Sequence, residues 1–560
     1  MKKQLPIGKS DFKSLIENGY YFVDKSLFIK EIIDSADVCL ITRPRRFGKT
    51  INLSMLRYFY SNEADYSHLF QDLTISQVGE RYLSKQSKHP VIFVSFKDIK
   101  ANTWEKAFSQ IVLLIQEALV ENFRYLLNWE ELNFLEKEKF EAIQKGEKEI
   151  IHYTSFLKII SHCLHRHHQA KPVILIDEYD TPVHAAYVHG YYGQMIEFMR
   201  DFLSGGLKDN SSLEKGVITG IMRVAKESIF SGLNNLDSFT LLIQRMSRHF
   251  GFTEPEVAQL ISDMQLSAGA MEEVRKWYNG YVFGKRIIYN PWSIIQYADK
   301  PEEGARPYWV NTSDNTLLKQ LFFSGGANIK PELHELIQKR LLRKEVSETL
   351  VFEDLEHRIE AVWTLLVFSG YLKAQNMEQK HRARTYELSI PNEEVAYVYE
   401  RFIKDWVREH ISETELNPML TALTQGNVEV FEDYFARFVL QAFSFHDTQV
   451  SETESFYHAF LLGLAVSLQN EYVIKSNRES GLGRYDLMLV PKSRDKKGIV
   501  IEIKRPQKRR KQSLEDALQI AKEQINNNEY TAELEEMGLQ HILKLAIAVE
   551  GKRVLVEEVR

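Results

Sequence analysis

The sequence predicts an α/β protein: a parallel-sheet domain, a mainly helical middle region and a small C-terminal α/β domain. Three observations carry this. Four short apolar runs alternate with helical patterns over the first half of the chain. The first run leads into a loop ending Gly48-Lys49-Thr50, and a late run, Gly498 to Lys504, places a carboxylate and a lysine two residues apart.

The four runs are Val38 to Thr42, Val91 to Phe96, Val173 to Ile176 and Val217 to Ile221. They are apolar throughout rather than alternating, as expected of parallel strands covered by helices on both faces. A helix start follows at Thr253-Glu254-Pro255-Glu256, where threonine caps, proline suits the first turn and Glu256 closes a capping box. From there to about residue 440 the pattern is mainly helical, broken by the aromatic segment Trp277 to Ser293 and the short run Tyr386 to Ile390. Past Glu452 the expected order is helix (Glu454 to Gln469), glycine-containing turn, two strands (Tyr485 to Val490 and Gly498 to Lys504), helix (Leu514 to Asn527) and a final strand pair. The expected domains are 1–250, 251–445 and 446–560.

Composition constrains class more than function. A chain of 560 residues exceeds a single core, and 44% apolar with 26% charged residues is ordinary for a globular protein. The net charge of −6 supplies no global field for nucleic acid, so such contact must come from a local basic patch. Only Cys39 and Cys163 occur, without metal spacing, which excludes a disulfide framework. The N-terminus shows no signal-peptide core and no segment reaches membrane-spanning length, so the expected location is the cytoplasm, away from membranes. Oligomerisation is left open.

LITRPRRFGKT, from Leu40 to Thr50, is the second half of a phosphate-binding loop. A loop ending Gly-Lys-Thr at a helix start offers backbone N–H groups and a lysine to a polyphosphate, with the threonine hydroxyl reaching Mg²⁺. Arg43 stands where the first glycine belongs and Pro44 withdraws a backbone donor, so the turn must be built differently. Arg43, Arg45 and Arg46 could add charge near the phosphates, contact a partner subunit or be solvated. The strand Val173 to Ile176 ends in Asp177-Glu178, and is expected beside the first strand with Asp177 reaching Mg²⁺ and Glu178 facing the attacking water. At the carboxyl end of the run Val217 to Ile221, Thr219 or Arg223 could sense or neutralise the γ-phosphate. Expected nucleotide contacts are thus Arg46, Phe47, Gly48, Lys49, Thr50 and Asp177, with a nucleoside triphosphate and Mg²⁺ held by a P-loop NTPase domain.

In the late run, period two puts Glu502 and Lys504 on one face and Ile499, Ile501 and Ile503 on the other. With Asp486 on the preceding strand, two acids can hold Mg²⁺ or Mn²⁺ that activates water at a phosphodiester, with Lys504 beside them. The bland alternative is an amphipathic edge hairpin with a weak surface ion pair. Glu454 and His458 share a helix face, and either could point into the metal site. The basic run Lys504 to Lys511 would contact nucleic-acid phosphates. The cluster His162, His165, His167 and His168 fits the end of an amphipathic helix better than a metal site.

RPRRFGKT, VILIDEYD, TGIMRVAKESIFSGLNN, FGFTEPEV and WYNGYVFG…YNPWS, in that order, resemble the AAA-ATPase-like family of bacterial and archaeal proteins. Its members often end in a PD-(D/E)XK nuclease-superfamily domain, whose signature Asp486, Glu502 and Lys504 match. The resemblance spans nearly the whole chain and implies a P-loop ATPase. Some RecB-like members of the nuclease superfamily use a helical histidine, which would give His458 a metal role, and Gln524 with Tyr530 loosely resembles their later motif. The expected function is ATP-driven control of a metal-dependent nuclease-like domain acting on DNA or RNA. The alternative is a nucleotide-dependent interaction switch whose C-terminal domain is not catalytic.

Overall fold

The computed structural model describes residues 3–224, 229–230, 235–309, 332, 335–336, 339–380, 383–444, 457, 461, 463–465, 467–476, 479–480, 483–484, 486–507, 512–527 and 531–560. Two compact units divide the chain: residues 1–313 with 343–395, and 314–342 with 396–560. The expected 251–445 segment is therefore shared between them.

In the first unit, β1 (Val38–Thr42), β2 (Val91–Ser95), β3 (Val173–Asp177), β4 (Lys215–Gly220) and β5 (Leu236–Phe239) form one sheet in the order β2-β3-β4-β1-β5. Every neighbouring pair is parallel. β1, β3 and β4 are buried along their whole length, which is why they read as unbroken apolar runs. One expectation is overturned: β3 does not lie beside β1. β4 is inserted between them, pairing with β1 on one side and β3 on the other. The register aligns Thr42 with Gly220 and Ser95 with Asp177, so the carboxyl ends of these strands meet along one rim.

Helices fill the crossovers, as parallel pairing requires. Lys49–Tyr60 follows β1; Trp104–Glu117, Phe134–Lys145 and Phe156–His168 lie between β2 and β3; Thr181–His189 and Tyr192–Leu207 precede β4. Phe156–His168 buries Phe156, Leu157, Ile160, Cys163 and Leu164, and places the histidines in its last turns. Against it packs Tyr192–Leu207 at Gly206, where an added Cβ would stand 2.6 Å from the Leu157 Cβ.

Beyond β5 the capping box at Thr253 and Glu256 is present, and Glu256 also holds the buried Lys25 ammonium at 2.7 Å. This part is richer in strands than its pattern implies. β6 (Tyr281–Phe283) pairs with β7 (Arg286–Ile288), and β8 (Leu342–Glu345), β9 (Lys373–Lys380) and β10 (Ala383–Ser389) form a sheet in the order β8-β10-β9. β9, KAQNMEQK, has no apolar alternation to announce it; its pairing with β10 makes it a strand.

The second unit contains β11 (Tyr472–Ser476), the ribbon β12 (Glu479–Ser480) and β13 (Gly483–Arg484), then β14 (Leu487–Pro491), β15 (Gly498–Lys504), β16 (Ile542–Glu550) and β17 (Arg553–Glu558). The main sheet runs β11-β14-β15-β16-β17, with β15 and β16 parallel and the other neighbours antiparallel. Ile499, Ile501 and Ile503 are completely buried on the face covered by Met419 and Phe435, each contributing about 1.5–3 kcal/mol. Val500 faces Leu514, Ala517 and Ala521 of the Leu514–Asn527 helix on the other side. β15 is thus the central strand, which rules out the edge-hairpin alternative.

Candidate functional site

The phosphate loop begins where β1 ends. Gly48 caps the Lys49–Tyr60 helix at φ 86, a left-handed conformation that explains glycine there. Arg46 is also left-handed, at φ 68, at a cost of about 1 kcal/mol for a residue with a Cβ. Its guanidinium stacks over the Trp292 ring at 4.4 Å, an attraction of comparable size. Lys49 is buried, and its ammonium donates to the carbonyls of Arg43 at 3.1 Å and Pro44 at 3.0 Å. Burial lowers its pKa, opposed by Glu178, Asp177 and Asp180.

Arg43 is neither solvated nor turned to a partner: it is fully buried. Its Nη1 donates to Thr42 O at 2.7 Å and to Phe239 O at 2.8 Å, tying β1 to β5. The guanidinium carbon sits 5.1 Å from the Phe250 ring and 5.2 Å from the Phe283 ring, an aromatic cage in place of a carboxylate. Burial pushes its pKa down, yet a guanidinium stays charged, so the rings and carbonyls must carry the cation. Phe47 is buried too, 4.9 Å from Tyr281 and 5.2 Å from Phe283. Only its backbone can serve a ligand.

At the end of β3, Asp177 is fully buried and receives two hydroxyl donors. Thr50 Oγ1 donates to Oδ2 at 2.7 Å and Thr219 Oγ1 donates to Oδ1 at 2.6 Å. Burial raises the Asp177 carboxyl, and these two bonds oppose the rise. Thr219 reaches Asp177 because β4 lies between β1 and β3, a contact that depends on strand order and not on any local pattern. The Thr50 hydroxyl and Asp177 carboxylate bring together two hard oxygens of the kind that could hold a divalent cation. Glu178 is held at φ 51, with its N–H on Thr219 Oγ1 at 3.4 Å and Oε2 accepting from Thr181 Oγ1 at 3.2 Å.

The next two residues were not singled out by sequence. Asp180 is buried, and its Oδ2 accepts from the N–H groups of Ile221 at 2.7 Å and Met222 at 3.1 Å. Tyr179 Oη donates to Met222 O at 2.8 Å and accepts from Val224 N–H at 3.0 Å. Together they clip the segment that carries Arg223, whose carbonyl accepts from Leu350 N–H at 2.9 Å.

In the second unit, Asp486 stands one residue before β14, and Glu502 and Lys504 lie on β15. Lys504 Nζ is 2.7 Å from Glu502 Oε1 and 3.8 Å from Asp486 Oδ2. Asp486 Oδ2 accepts from Ile503 N–H at 2.8 Å, and Asp486 N–H donates to Glu502 Oε2 at 3.3 Å. Burial, followed by the nearby Asp486 charge, pushes the Glu502 carboxyl up to about 8, while Lys504 opposes it. Two carboxyl groups and a lysine therefore converge. Among the described residues no group of three or more His, Cys, Asp or Glu could hold a metal; a pair of carboxylates is what Mg²⁺ ordinarily takes when substrate phosphates and water complete its shell. His458, Glu454, Tyr530 and Lys508 to Lys511 lie outside the described residues. Gln524 is on the Leu514–Asn527 helix, and its Oε1 is buried with no partner among the described residues.

Residues 6–230 match the family model described as a predicted AAA-ATPase, and residues 452–559 match the PD-(D/E)XK nuclease superfamily. The chain joins an AAA-ATPase-like domain to a PD-(D/E)XK nuclease-superfamily domain. The AAA-ATPase-like match encloses Lys49, Thr50, Asp177, Glu178, Thr219 and Arg223; the nuclease-superfamily match encloses Asp486, Glu502 and Lys504. Domains of these kinds generally use nucleotides and divalent metals. An uncharacterized protein in the vnfD 5′ region of Azotobacter chroococcum is 28% identical over 402 residues, covering 70% of this chain and 68% of the relative. A signal-transduction ATPase with numerous domains and a tetratricopeptide-repeat sensor, from Pyrococcus horikoshii, aligns at 11% identity with a TM-score of 0.25. That alignment covers 80% of this chain and 56% of that structure, so the chain spans little more than half of it. No helix among the described residues is long and apolar enough to cross a membrane.

Proposed function

We propose that the AAA-ATPase-like domain binds and hydrolyses ATP and that its nucleotide state controls a metal-dependent nuclease-like domain acting on DNA or RNA. The observation that carries the first half is the meeting of Thr50, Asp177 and Thr219, drawn from three separate elements, within hydrogen-bond distance at the helix start that bears Lys49. Lys49 would exchange its two loop carbonyls for the β and γ phosphates. Thr50 and Asp177 would hold Mg²⁺, which neutralises phosphate charge when bound. Glu178, fixed in its left-handed backbone, would orient the attacking water, and Arg223 follows β4, the strand between β1 and β3.

The second half rests on the approach of Asp486, just before β14, to Glu502 and Lys504 on the central strand β15. Asp486 and Glu502 would hold Mg²⁺ or Mn²⁺, with Lys504 beside the scissile phosphate and the run to Lys511 on the nucleic-acid backbone. One observation favours the rival reading of a non-catalytic interaction switch: the Lys504 ammonium is already paired with Glu502.

A cleavage panel of single-stranded, duplex and structured nucleic acids, with Mg²⁺ or Mn²⁺ and with or without ATP, separates the two. Cleavage lost in Asp486→Ala and Glu502→Ala supports the nuclease. No cleavage by wild type and identical behaviour of both variants leaves the switch. Lys49→Ala that binds and hydrolyses ATP as wild type does would remove the ATPase assignment.

A further inference from the structure

The loop Arg43 to Phe47 has side chains where a glycine-rich turn would have none, and each of its residues touches the region beyond β5. Arg43 and Phe47 enter the Phe250, Tyr281 and Phe283 cluster. Pro44 Cβ lies 3.1 Å from where Gly370, at φ +87, would carry a Cβ. The Arg45 carbonyl accepts from Trp309 Nε1 at 3.3 Å, and Arg46 stacks on Trp292. Gly251 N–H donates to Phe47 O at 3.0 Å.

Trp309 is itself fixed. It is buried, 5.0 Å from the Tyr371 ring, and its backbone N–H donates to Glu394 Oε1 at 2.7 Å. Glu394 is fully buried at the start of the Glu393–His410 helix and also receives Ser293 Oγ at 2.8 Å. Burial pushes this carboxyl up to about 7, and the N–H and O–H donors pull it back. A buried acid with such donors orients what it binds, at a desolvation cost that a merely space-filling residue would avoid.

We propose that Trp309, oriented by Glu394, and Trp292 are positioning residues of the nucleotide site, setting the shape of the phosphate loop in the place of its absent first glycine. The proposal rests on the ATP-binding reading above. Trp309 holds the Arg45 carbonyl, immediately after the two carbonyls that Lys49 must leave to meet phosphate. Trp292 holds the guanidinium of Arg46 and so maintains the left-handed backbone that turns the chain toward Gly48. Neither tryptophan has to touch the nucleotide. Their contribution is to keep the loop's N–H groups convergent before binding, which lowers the ordering cost of the bound state.

The test measures MgATP binding to the full chain by equilibrium titration, steady-state hydrolysis, and thermal unfolding of each variant. Trp309→Phe removes the Nε1–H donor and keeps a ring against Tyr371; it should weaken MgATP binding about fivefold to tenfold and raise KM in step, with kcat changed much less. Trp292→Ala, at a partly exposed position, should weaken binding about threefold to fivefold and should add nothing further in an Arg46→Ala background. Trp309→Phe and Trp292→Ala variants with wild-type affinity and only a lowered unfolding temperature would overturn the proposal while leaving ATP binding intact. Full additivity with Arg46→Ala would also overturn the role of Trp292. A wild-type chain that binds no MgATP would overturn both this proposal and the ATPase reading, so the two failures are distinguishable.

Discussion

The Thr50 hydroxyl donates to Asp177 Oδ2 across 2.7 Å, joining the helix start after β1 to the end of β3 even though β4 separates those strands. This contact fixes where a cation shared by both oxygens would sit. Thr50→Val, which removes the oxygen at nearly constant volume, should weaken Mg²⁺-dependent ATP binding by about tenfold to a hundredfold. Thr50→Ser should retain it within a few-fold. Titrating Mg²⁺ at fixed nucleotide checks this, and equal Mg²⁺ dependence in both variants would sink it.

The Asp180 clip predicts two opposite effects at one position. Burial, its largest cause, pushes the Asp180 carboxyl up to about 6. The folded protein therefore takes up a proton that the unfolded chain binds only at lower pH. The stabilisation is complete below the ordinary aspartate pKa of about 4 and is lost as pH rises through about 6. Asp180→Asn keeps an oxygen for Ile221 and Met222 N–H without the buried charge, so it should be more stable than wild type at pH 7.5 by about 1–3 kcal/mol. Asp180→Ala frees the segment around Arg223 and should lower kcat by about tenfold or more. Unfolding midpoints at pH 5 and pH 7.5, with turnover rates, test both.

Glu502 should make metal binding in the nuclease-like domain pH dependent. Its carboxyl is pushed up to about 8 by burial and by Asp486, so a proton competes with any cation for this site. Binding a cation releases that proton, and affinity should rise with pH until about 8. Calorimetric titration of Mn²⁺ at pH 6.5 and pH 8.5 should show at least about a tenfold gain, absent in Glu502→Gln. A flat profile for wild type would count against two carboxylates sharing one cation. For folding the sign is reversed: the raised pKa stabilises the fold below the ordinary glutamate pKa and ceases to do so above about 8.

Restoring the consensus glycine should damage the protein. Arg43→Gly would orphan the Thr42 and Phe239 carbonyls and leave the Phe250 and Phe283 faces without their cation. A loss of about 3 kcal/mol is expected from the bonds and the cavity combined. Chemical denaturation measures it, and a variant as stable as wild type with unchanged ATP affinity would show that neither the bonds nor the packing of this arginine contributes.

Local pattern was enough for much of this molecule. Uniform apolar runs announced four of the five parallel strands because strands buried on both faces must be apolar at every position. Gly48-Lys49-Thr50 announced a loop and helix start because few other sequences serve a left-handed cap followed by a cation and a hydroxyl. The period-two spacing placed Glu502 and Lys504 together, and Thr253 with Glu256 marked a helix start, since both arrangements depend only on neighbours along the chain.

Tertiary structure decided what depends on distant partners. The order β2-β3-β4-β1-β5 follows from pairing between remote strands, and it alone brings Thr219 to Asp177. β5, with Asp237 and Ser238 in its span, lacks an apolar signature and exists through its pairing with β1. The sequence shows Arg43 as an anomaly in a phosphate loop. Only the fold supplies the aromatic rings and carbonyls that make a buried cation there tolerable, because desolvation is balanced by neighbours in space and not by neighbours in sequence.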